Sequence, residues 1–298
     1  MSSASGGSPR SPLGRARLSR LREARLYLVT DDATPADGLP ELVAAAARGG
    51  ADLVQLRRKG VEPARLRGLA EDCLRRAREG GALFLVDDHV ELALQIGADG
   101  VHLGQQDQEP ARARARLGPD AILGVSTHAL PQPRSALESG ADYISAGPVF
   151  STPTKPGREA VGFDYVSAAA TSVPLPLVAI GGLAADSAGE AIRRGADMIG
   201  VVRCICQATD PEAAARELRR AIGHATPWDW LEVNGERRRC PGGSRGADLL
   251  RQLGLGLEGV VVELNGEMLT REGLETTRLL AGDRLEVVHL VGGGMGHG

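Results

Sequence analysis

Lysine is nearly missing from this chain. Of 35 basic residues only Lys59 and Lys155 are lysines, and arginine supplies the rest. A lysine kept against such a bias marks a place that wants a compact, flexible point charge, as beside a phosphate. Cysteine is scarce too. Cys73, Cys204, Cys206 and Cys240 are scattered, which argues against a disulfide framework and suits reduced thiols in a cytoplasmic protein. Cys204-Ile205-Cys206 would turn both thiols to one side of a strand, and its spacing is not that of a zinc site. No apolar run approaches the roughly 20 residues of a membrane helix. A net charge of -3 makes no case for nucleic acid or a membrane surface as partner. Acid is almost absent from residues 1–22, which carry Ser, Gly, Pro and Arg and read as a disordered leader.

What is present suits a globular protein. The 298 residues, 42% hydrophobic and 24% charged, suffice for one large domain and a small one. Gly-Ala-Asp recurs at 50–52, 97–99, 140–142 and 195–197, each time closing a helical stretch and opening an apolar run. Glycine suits a helix C-terminus, where a left-handed residue satisfies orphan carbonyls. Four more strand candidates lie between, at 25–30, 83–86, 122–126 and 177–180. Helical patterns alternate with the strands near 39–48, 62–79, 89–96, 109–117, 131–139, 164–171, 186–194 and 211–222. This alternation predicts an α/β fold, a (β/α)8 TIM barrel over 23–224; the fourfold repeat fits closure better than a doubly wound open sheet. Residues 225–230 read as a linker. From 231 onward the character changes. Asn-Gly turn signals at 234–235 and 265–266, one helix over 247–253 and a strand over 283–291 predict a small α+β domain at 231–294. Residues 295–298 read as a flexible tail.

A barrel carries its active site at the C-terminal ends of its strands. The second strand ends in Gln55, Arg57 and Lys59, which alternation puts on one side. The third ends in Asp87-Asp88 and the fourth leads to Asp107. Carboxylates beside cations suit Mg²⁺, which takes one or two carboxylates plus phosphate oxygens. The same aspartates could instead cap the following helices. Ser126 ends the fifth strand as a phosphate ligand, and His128 beside it is an acid/base or a structural residue. The loop after the sixth strand holds Thr152, Thr154 and Lys155 among prolines and glycines. Gly181-Gly182 exposes backbone N–H groups to an anion, and Val202-Arg203 ends the eighth strand. Together these predict two anion sites in one mouth, one of them metal-assisted. Such a mouth suits the joining of two phosphorylated substrates with loss of pyrophosphate.

Residues 25–222 resemble thiamine-phosphate synthase. The resemblance rests on the Gln-x-Arg-x-Lys segment at 55–59, Asp88 and Asp107, Gly124-Val125-Ser126, the loop from Gly147 to Lys155, and Ile180-Gly181-Gly182. It implies condensation of hydroxymethylpyrimidine pyrophosphate with thiazole phosphate to thiamine phosphate and pyrophosphate, with Mg²⁺ on Asp88 and Asp107. It further implies that Arg57, Lys59, Ser126 and Lys155 hold the pyrophosphate, that Gln55 positions the pyrimidine, and that Thr152, Thr154, Gly182, Val202 and Arg203 surround the thiazole phosphate. Asp87 stands where the family usually has Asn, and Arg203 where it usually has a small residue. Residues 231–294 are similar to the small sulfur carrier of thiazole synthesis, a β-grasp, ubiquitin-like fold. That similarity implies a thiocarboxylate at Gly293 or Gly294, with an adenylating enzyme and thiazole synthase as partners. Two other readings remain: a thiazole tautomerase-like barrel without synthase activity, which the pyrophosphate set disfavours, and a non-catalytic ubiquitin-like binding module.

Overall fold

The structure is a computed structural model that describes residues 9–152, 157, 159–223, 228–241, 244–280 and 282–289. The chain divides into two compact units, Met1–Ala225 and Thr226–Gly298. Among the described residues no helix is long and apolar enough to cross a membrane.

The first unit opens on helix α1 (Pro12–Glu23), where a disordered leader was expected. Two local signals explain it. Ser11 is the N-cap, its hydroxyl accepting from the Gly14 N–H at 3.3 Å, and Pro12 starts the first turn with its φ already helical. Leu21 is fully buried, so the helix is held by packing that composition does not reveal.

Eight strands then alternate with helices: β1 (Leu26–Val29), α2 (Leu39–Arg48), β2 (Leu53–Leu56), α3 (Pro63–Glu79), β3 (Leu83–Asp87), α4 (Val90–Ile96), β4 (Gly100–Leu103), α5 (Pro110–Leu117), β5 (Ile122–Thr127), α6 (Gln132–Glu138), β6 (Tyr143–Ala146), α7 (Gly162–Ser172), β7 (Leu177–Ile180), α8 (Ala185–Arg193) and β8 (Met198–Val201). The short helix α9 (Arg203–Cys206) and α10 (Pro211–Gly223) complete the unit. Every strand pairs in parallel with its sequence neighbours, and β8 returns to β1, closing the barrel. Cys204 and Cys206 therefore lie on a helical turn and not on one side of a strand.

Strand alternation splits the core in two. One set, including Leu28, Val54, Phe84 and Val101, packs outward against the helices. The other, including Tyr27, Leu53, Leu83, Ile122, Tyr143 and Met198, fills the barrel interior and meets Leu21 of α1. The Gly-Ala-Asp repeat belongs to the N-terminal end of the barrel. Asp52 accepts from the N–H of Arg25 (2.7 Å) and Leu26 (3.0 Å). Asp99, Asp142 and Asp197 likewise accept from Phe84 (3.0 Å), Leu123 (2.9 Å) and Leu177 (2.7 Å). Each aspartate thus stands at the foot of an even strand and satisfies a backbone donor of the odd strand before it, which is why the repeat is fourfold. Arg17 pairs with Asp99 at 2.9 Å and Arg10 with Asp142, so the segment carrying α1 is tied to two of these four feet.

The second unit is a β-grasp domain with sheet order β10-β9-β13-β11-β12. Its elements are β9 (Trp228–Val233), β10 (Glu236–Pro241), α11 (Gly246–Gln252), β11 (Val260–Leu264), β12 (Glu267–Met268), α12 (Arg271–Thr276) and β13 (Arg284–His289). β9 and β13 pair in parallel at the centre. Both Asn-Gly turns place asparagine at positive φ, 51° for Asn234 and 53° for Asn265. Asn234 also extends the sheet: its amide donates to the Val287 carbonyl at 3.0 Å, and its Oδ1 accepts from the Val287 N–H at 2.6 Å. Two expectations need correction here. Residues 228–230 belong to β9 and not to a linker, and the domain has a second helix, α12. α12 is one short turn held by Thr270, whose hydroxyl accepts from Gly273 N–H at 3.0 Å, too brief to leave a period in the sequence.

Candidate active site

At the C-terminal ends of the strands lies a cavity of about 380 Å³. Its wall contains Gln55, Arg57, Lys59, Asp87, Asp107, Ser126, His128, Thr152, Gly182, Val202 and Arg203. Barrel closure therefore brings together side chains as far apart in the chain as Val29 and Cys204. Asp88 is not on that wall but pairs with Lys59, which is. Thr154, Lys155, Gly293 and Gly294 lie outside the described residues.

One side of the cavity is a charge network. Arg57 reaches Asp32 at 2.8 Å and lies 3.9 Å from Asp87. Lys59 pairs with Asp88 and sits 3.2 Å from Asp87. Asp87 also accepts from the Gln55 amide. The extra negative charge expected at Asp87 is thus countered by two cations and an amide. Burial raises the Asp87 carboxyl above its ordinary range, and Lys59 and Arg57 draw it back in part. Burial also raises Asp88, and with its hydrogen bond to Asp107 and the nearby Asp87 charge it is pushed up to about 7. Burial would raise Asp107 as well, but its bonds with Asp88 and the Gly104 N–H (2.7 Å) hold it below its ordinary range. Lys59 is held above its ordinary range against its own burial by Asp88 and Asp87.

Asp88 and Asp107 thus form a pair of carboxylates close enough to share a proton. Asp88 Oδ1 is buried and has no hydrogen-bond partner in the protein. The backbone contributes, since Asp88 holds φ at 59°, a left-handed conformation unusual outside glycine. A buried orphan oxygen beside a second carboxylate fits a hard divalent cation. Among the described residues no group of three or more His, Cys, Asp or Glu side chains is gathered for a metal, so substrate oxygens and water would complete the shell.

The opposite side is built from backbone and one arginine. Gly181 and Gly182 adopt φ of 102° and 71°. A Cβ on Gly181 would lie 2.5 Å from Pro148 Cα, so the turn closes on the preceding strand end only with glycine. Arg203 is the first residue of α9 and is exposed at the cavity wall. His128 Nδ1–H donates to the Gly147 carbonyl at the neighbouring strand end, and its backbone N–H donates to Gln132 Oε1 at 2.7 Å. That placement fits the structural reading of His128.

The cavity floor escaped the sequence reading. Tyr27, Tyr143 and His102 are buried there: Tyr27 is hydrogen-bonded to Gln55, His102 to Ser126, and Tyr143 to both Tyr27 and His102. The available signal was a polar ring or imidazole at an inward-facing strand position, where aliphatic residues normally fill the barrel. Burial raises both phenols, so they keep their protons. Asp32, which anchors Arg57 and accepts from the Lys59 N–H at 3.0 Å, was also missed; it lies in the loop after β1 and carries no periodic signature.

Residues 26–205 match the family described as thiamine monophosphate synthase, and residues 231–294 match the ThiS family. A thiamine-phosphate synthase of Thermosynechococcus vestitus is 46% identical over 212 residues, covering 71% of this chain and 60% of that protein. One from Saccharopolyspora erythraea is 43% identical, over 69% of this chain and 96% of that protein. A solved thiamine phosphate pyrophosphorylase from Pyrococcus furiosus is 34% identical with a TM-score of 0.62, over 69% of this chain and 98% of that one. The chain spans about three fifths of several of the curated relatives it matches, 60% and 62% for two cyanobacterial ones. The family match and the full-length coverage of the shorter relatives agree with the barrel and its strand-end cavity: the chain belongs to the thiamine monophosphate synthase family.

Proposed function

We propose that the barrel joins 4-amino-5-hydroxymethyl-2-methylpyrimidine pyrophosphate to 4-methyl-5-(2-hydroxyethyl)thiazole phosphate, releasing pyrophosphate and giving thiamine phosphate. The observation that carries this reading is the pairing, across one cavity of about 380 Å³, of a cation-and-carboxylate wall with a glycine-and-arginine wall. Arg57 and Lys59 bind the pyrophosphate and stabilise the charge it gains as the C–O bond breaks. Their field does this without reorganising, because Asp32, Asp87 and Asp88 already hold them in place. Lys155 adds to that charge from the loop after β6. Thr152, Thr154, Gly182 and Arg203, with Val202 beside them, hold the thiazole phosphate and so aim the ring nitrogen at the pyrimidine methylene carbon. Gln55 orients the pyrimidine. Positioning and electrostatics suffice, and no protein nucleophile is required.

Asp88 and Asp107 would hold Mg²⁺. When bound, the ion supplies neutralising charge at the leaving pyrophosphate. Dependence on it is tested by measuring pyrophosphate release with each substrate alone and with both, with and without Mg²⁺. Release should require all three components, and Lys155→Ala should slow it about tenfold or more. Release from one substrate alone, or equal rates after chelation, would sink the reading.

The C-terminal unit acts as a sulfur carrier for thiazole formation, charged at Gly293 or Gly294 by an adenylating enzyme and discharged to a thiazole synthase. The ThiS match over 231–294 supports this. Intact mass spectrometry after incubation with ATP, a sulfur donor and such an adenylating enzyme should show a chain ending at one of these glycines as a thiocarboxylate. A chain that stays full length and unmodified would count against it. The four free cysteines suit a cytoplasmic setting for both chemistries.

A further inference from the structure

Just beyond β6 the backbone at 148–150 is hydrogen-bonded on both sides. The Val149 N–H donates to the Ile180 carbonyl at 2.9 Å, and the Phe150 N–H to the Gly181 carbonyl at 3.0 Å. On the other side the Pro148 and Val149 carbonyls accept from the N–H groups of Val161 (2.8 Å) and Gly162 (3.2 Å), where α7 begins. The first pair of bonds sets the direction of the glycine turn. A trans peptide holds its C=O and its N–H in one plane, pointing opposite ways. Tying the Ile180 and Gly181 carbonyls to 149–150 therefore turns the N–H groups of Gly181 and Gly182 away from that segment. Gly181 and Gly182 line the cavity and Phe150 does not. Among the described residues the Gly182 N–H meets no acceptor, so this donor is left for a ligand.

We propose that Phe150 is a positioning residue that sets the glycine turn to bind a substrate phosphate, and that Phe163 locks it in place. The inference rests on the proposed synthase reading, in which Gly182 holds the thiazole phosphate. Phe150 acts on the turn through its side chain as well as its N–H. A Cβ on Gly182 would lie 2.7 Å from Phe150 Cβ, so the Cβ side of this glycine is already occupied by Phe150. The Phe150 ring meets the Phe163 ring edge to face, with centroids 5.4 Å apart and planes at 86°. That arrangement has a preferred geometry and fixes the ring against the first turn of α7. The chain has three phenylalanines, and two of them make this contact. Core formation does not explain it, because Phe150 is 40% exposed and lies outside both apolar clusters of the barrel. Thr152, two residues on, lines the cavity, so the same anchor places a hydroxyl on that wall. Phe150 itself is off the wall, so its effect falls on the phosphate donors and not on Arg57 and Lys59 opposite.

The test is calorimetric binding to the full chain. Phe150→Ala keeps the backbone N–H and the Cβ and removes the ring. It should weaken 4-methyl-5-(2-hydroxyethyl)thiazole phosphate about tenfold, the effect of one hydrogen bond to a charged group. Inorganic pyrophosphate with Mg²⁺ should change by less than about twofold, because its wall shares no partner with Phe150. Phe150→Tyr keeps the ring and should bind both ligands as wild type does. Should Phe150→Ala fail to fold, Phe163→Leu, which leaves Phe150 in place and removes the ring it meets, should show the same selective loss. Unchanged thiazole phosphate affinity in the folded variant overturns the proposal. Equal weakening of both ligands also overturns it, since Phe150 would then support the mouth as a whole. If Phe150→Ala shows the selective loss but wild-type protein forms no thiamine phosphate from both substrates and Mg²⁺, the inference stands and the synthase reading falls. If both proteins form thiamine phosphate with the same KM for thiazole phosphate, the synthase reading stands and the inference falls.

Discussion

Asp88→Asn is expected to cut pyrophosphate release by about 10²–10³-fold while making the metal-free protein more stable. The two effects have one origin. Asp88 keeps a buried oxygen without a partner, and its carboxyl is pushed up to about 7 from an ordinary 3.8. A carboxyl whose folded-state pKa is raised is better tolerated protonated, so folding binds the proton and stability falls as pH rises between the two values. Above the upper value the ionised group is a standing cost. Asparagine carries no charge and removes that cost, so its advantage grows as pH rises through that window and disappears in acid. Partial exposure and the opposite shift of Asp107 reduce the net gain to on the order of 1–2 kcal/mol at pH 8. Thermal melts at pH 5 and pH 8 with chelator present, beside turnover assays with Mg²⁺, would measure both. Wild-type turnover in the variant would remove Asp88 from the chemistry. Equal melting curves at pH 8 would show that the orphan oxygen costs nothing.

Gly124→Ala should destabilise the barrel by about 3 kcal/mol and displace the cavity floor. A Cβ at position 124 would lie 2.1 Å from Tyr143 Cζ and 2.3 Å from its hydroxyl oxygen. Such a clash is cheap only if the ring can move. Tyr143 cannot move freely, because it is fully buried, hydrogen-bonded to Tyr27 and His102, and paired across the sheet with Gly124 itself. The first glycine of Gly124-Val125-Ser126 is therefore room for a tyrosine on the next strand. Denaturant melts give the stability term, and turnover of the folded fraction gives the second. A loss of stability with normal turnover would mean that the floor does not position substrate. Gly124→Ala combined with Tyr143→Leu should recover part of the stability and none of the turnover.

Much of the barrel could be read from local pattern. Strand and helix alternate because parallel strands buried on both faces need apolar runs, while the covering helices need a 3.6-residue period. Those signals are short-range and survive in one dimension. The strand-end rule then converted them to candidate residues, and Gln55, Arg57, Lys59, Asp87, Asp107 and Arg203 do line one cavity. The failures were of another kind. Helix α1 looked disordered because its stability comes from Leu21 inside the barrel and from arginines paired with Asp99 and Asp142, contacts more than 80 residues away. Helix α12 was too short to show a period.

The order of strands, the two-domain division and the types of residue at the strand ends are consequences of periodicity and spacing, and the chain alone carries them. Which partner each strand-end residue keeps is a consequence of closure. Only when the barrel closes do Tyr27 of β1 and Tyr143 of β6 come within 2.9 Å, joining the Gln55 amide on one side to His102 and Ser126 on the other. A hydrogen bond depends on a few tenths of an ångström and on the direction of one proton. Those quantities are set by packing between distant strands, so no reading of a linear motif could supply them.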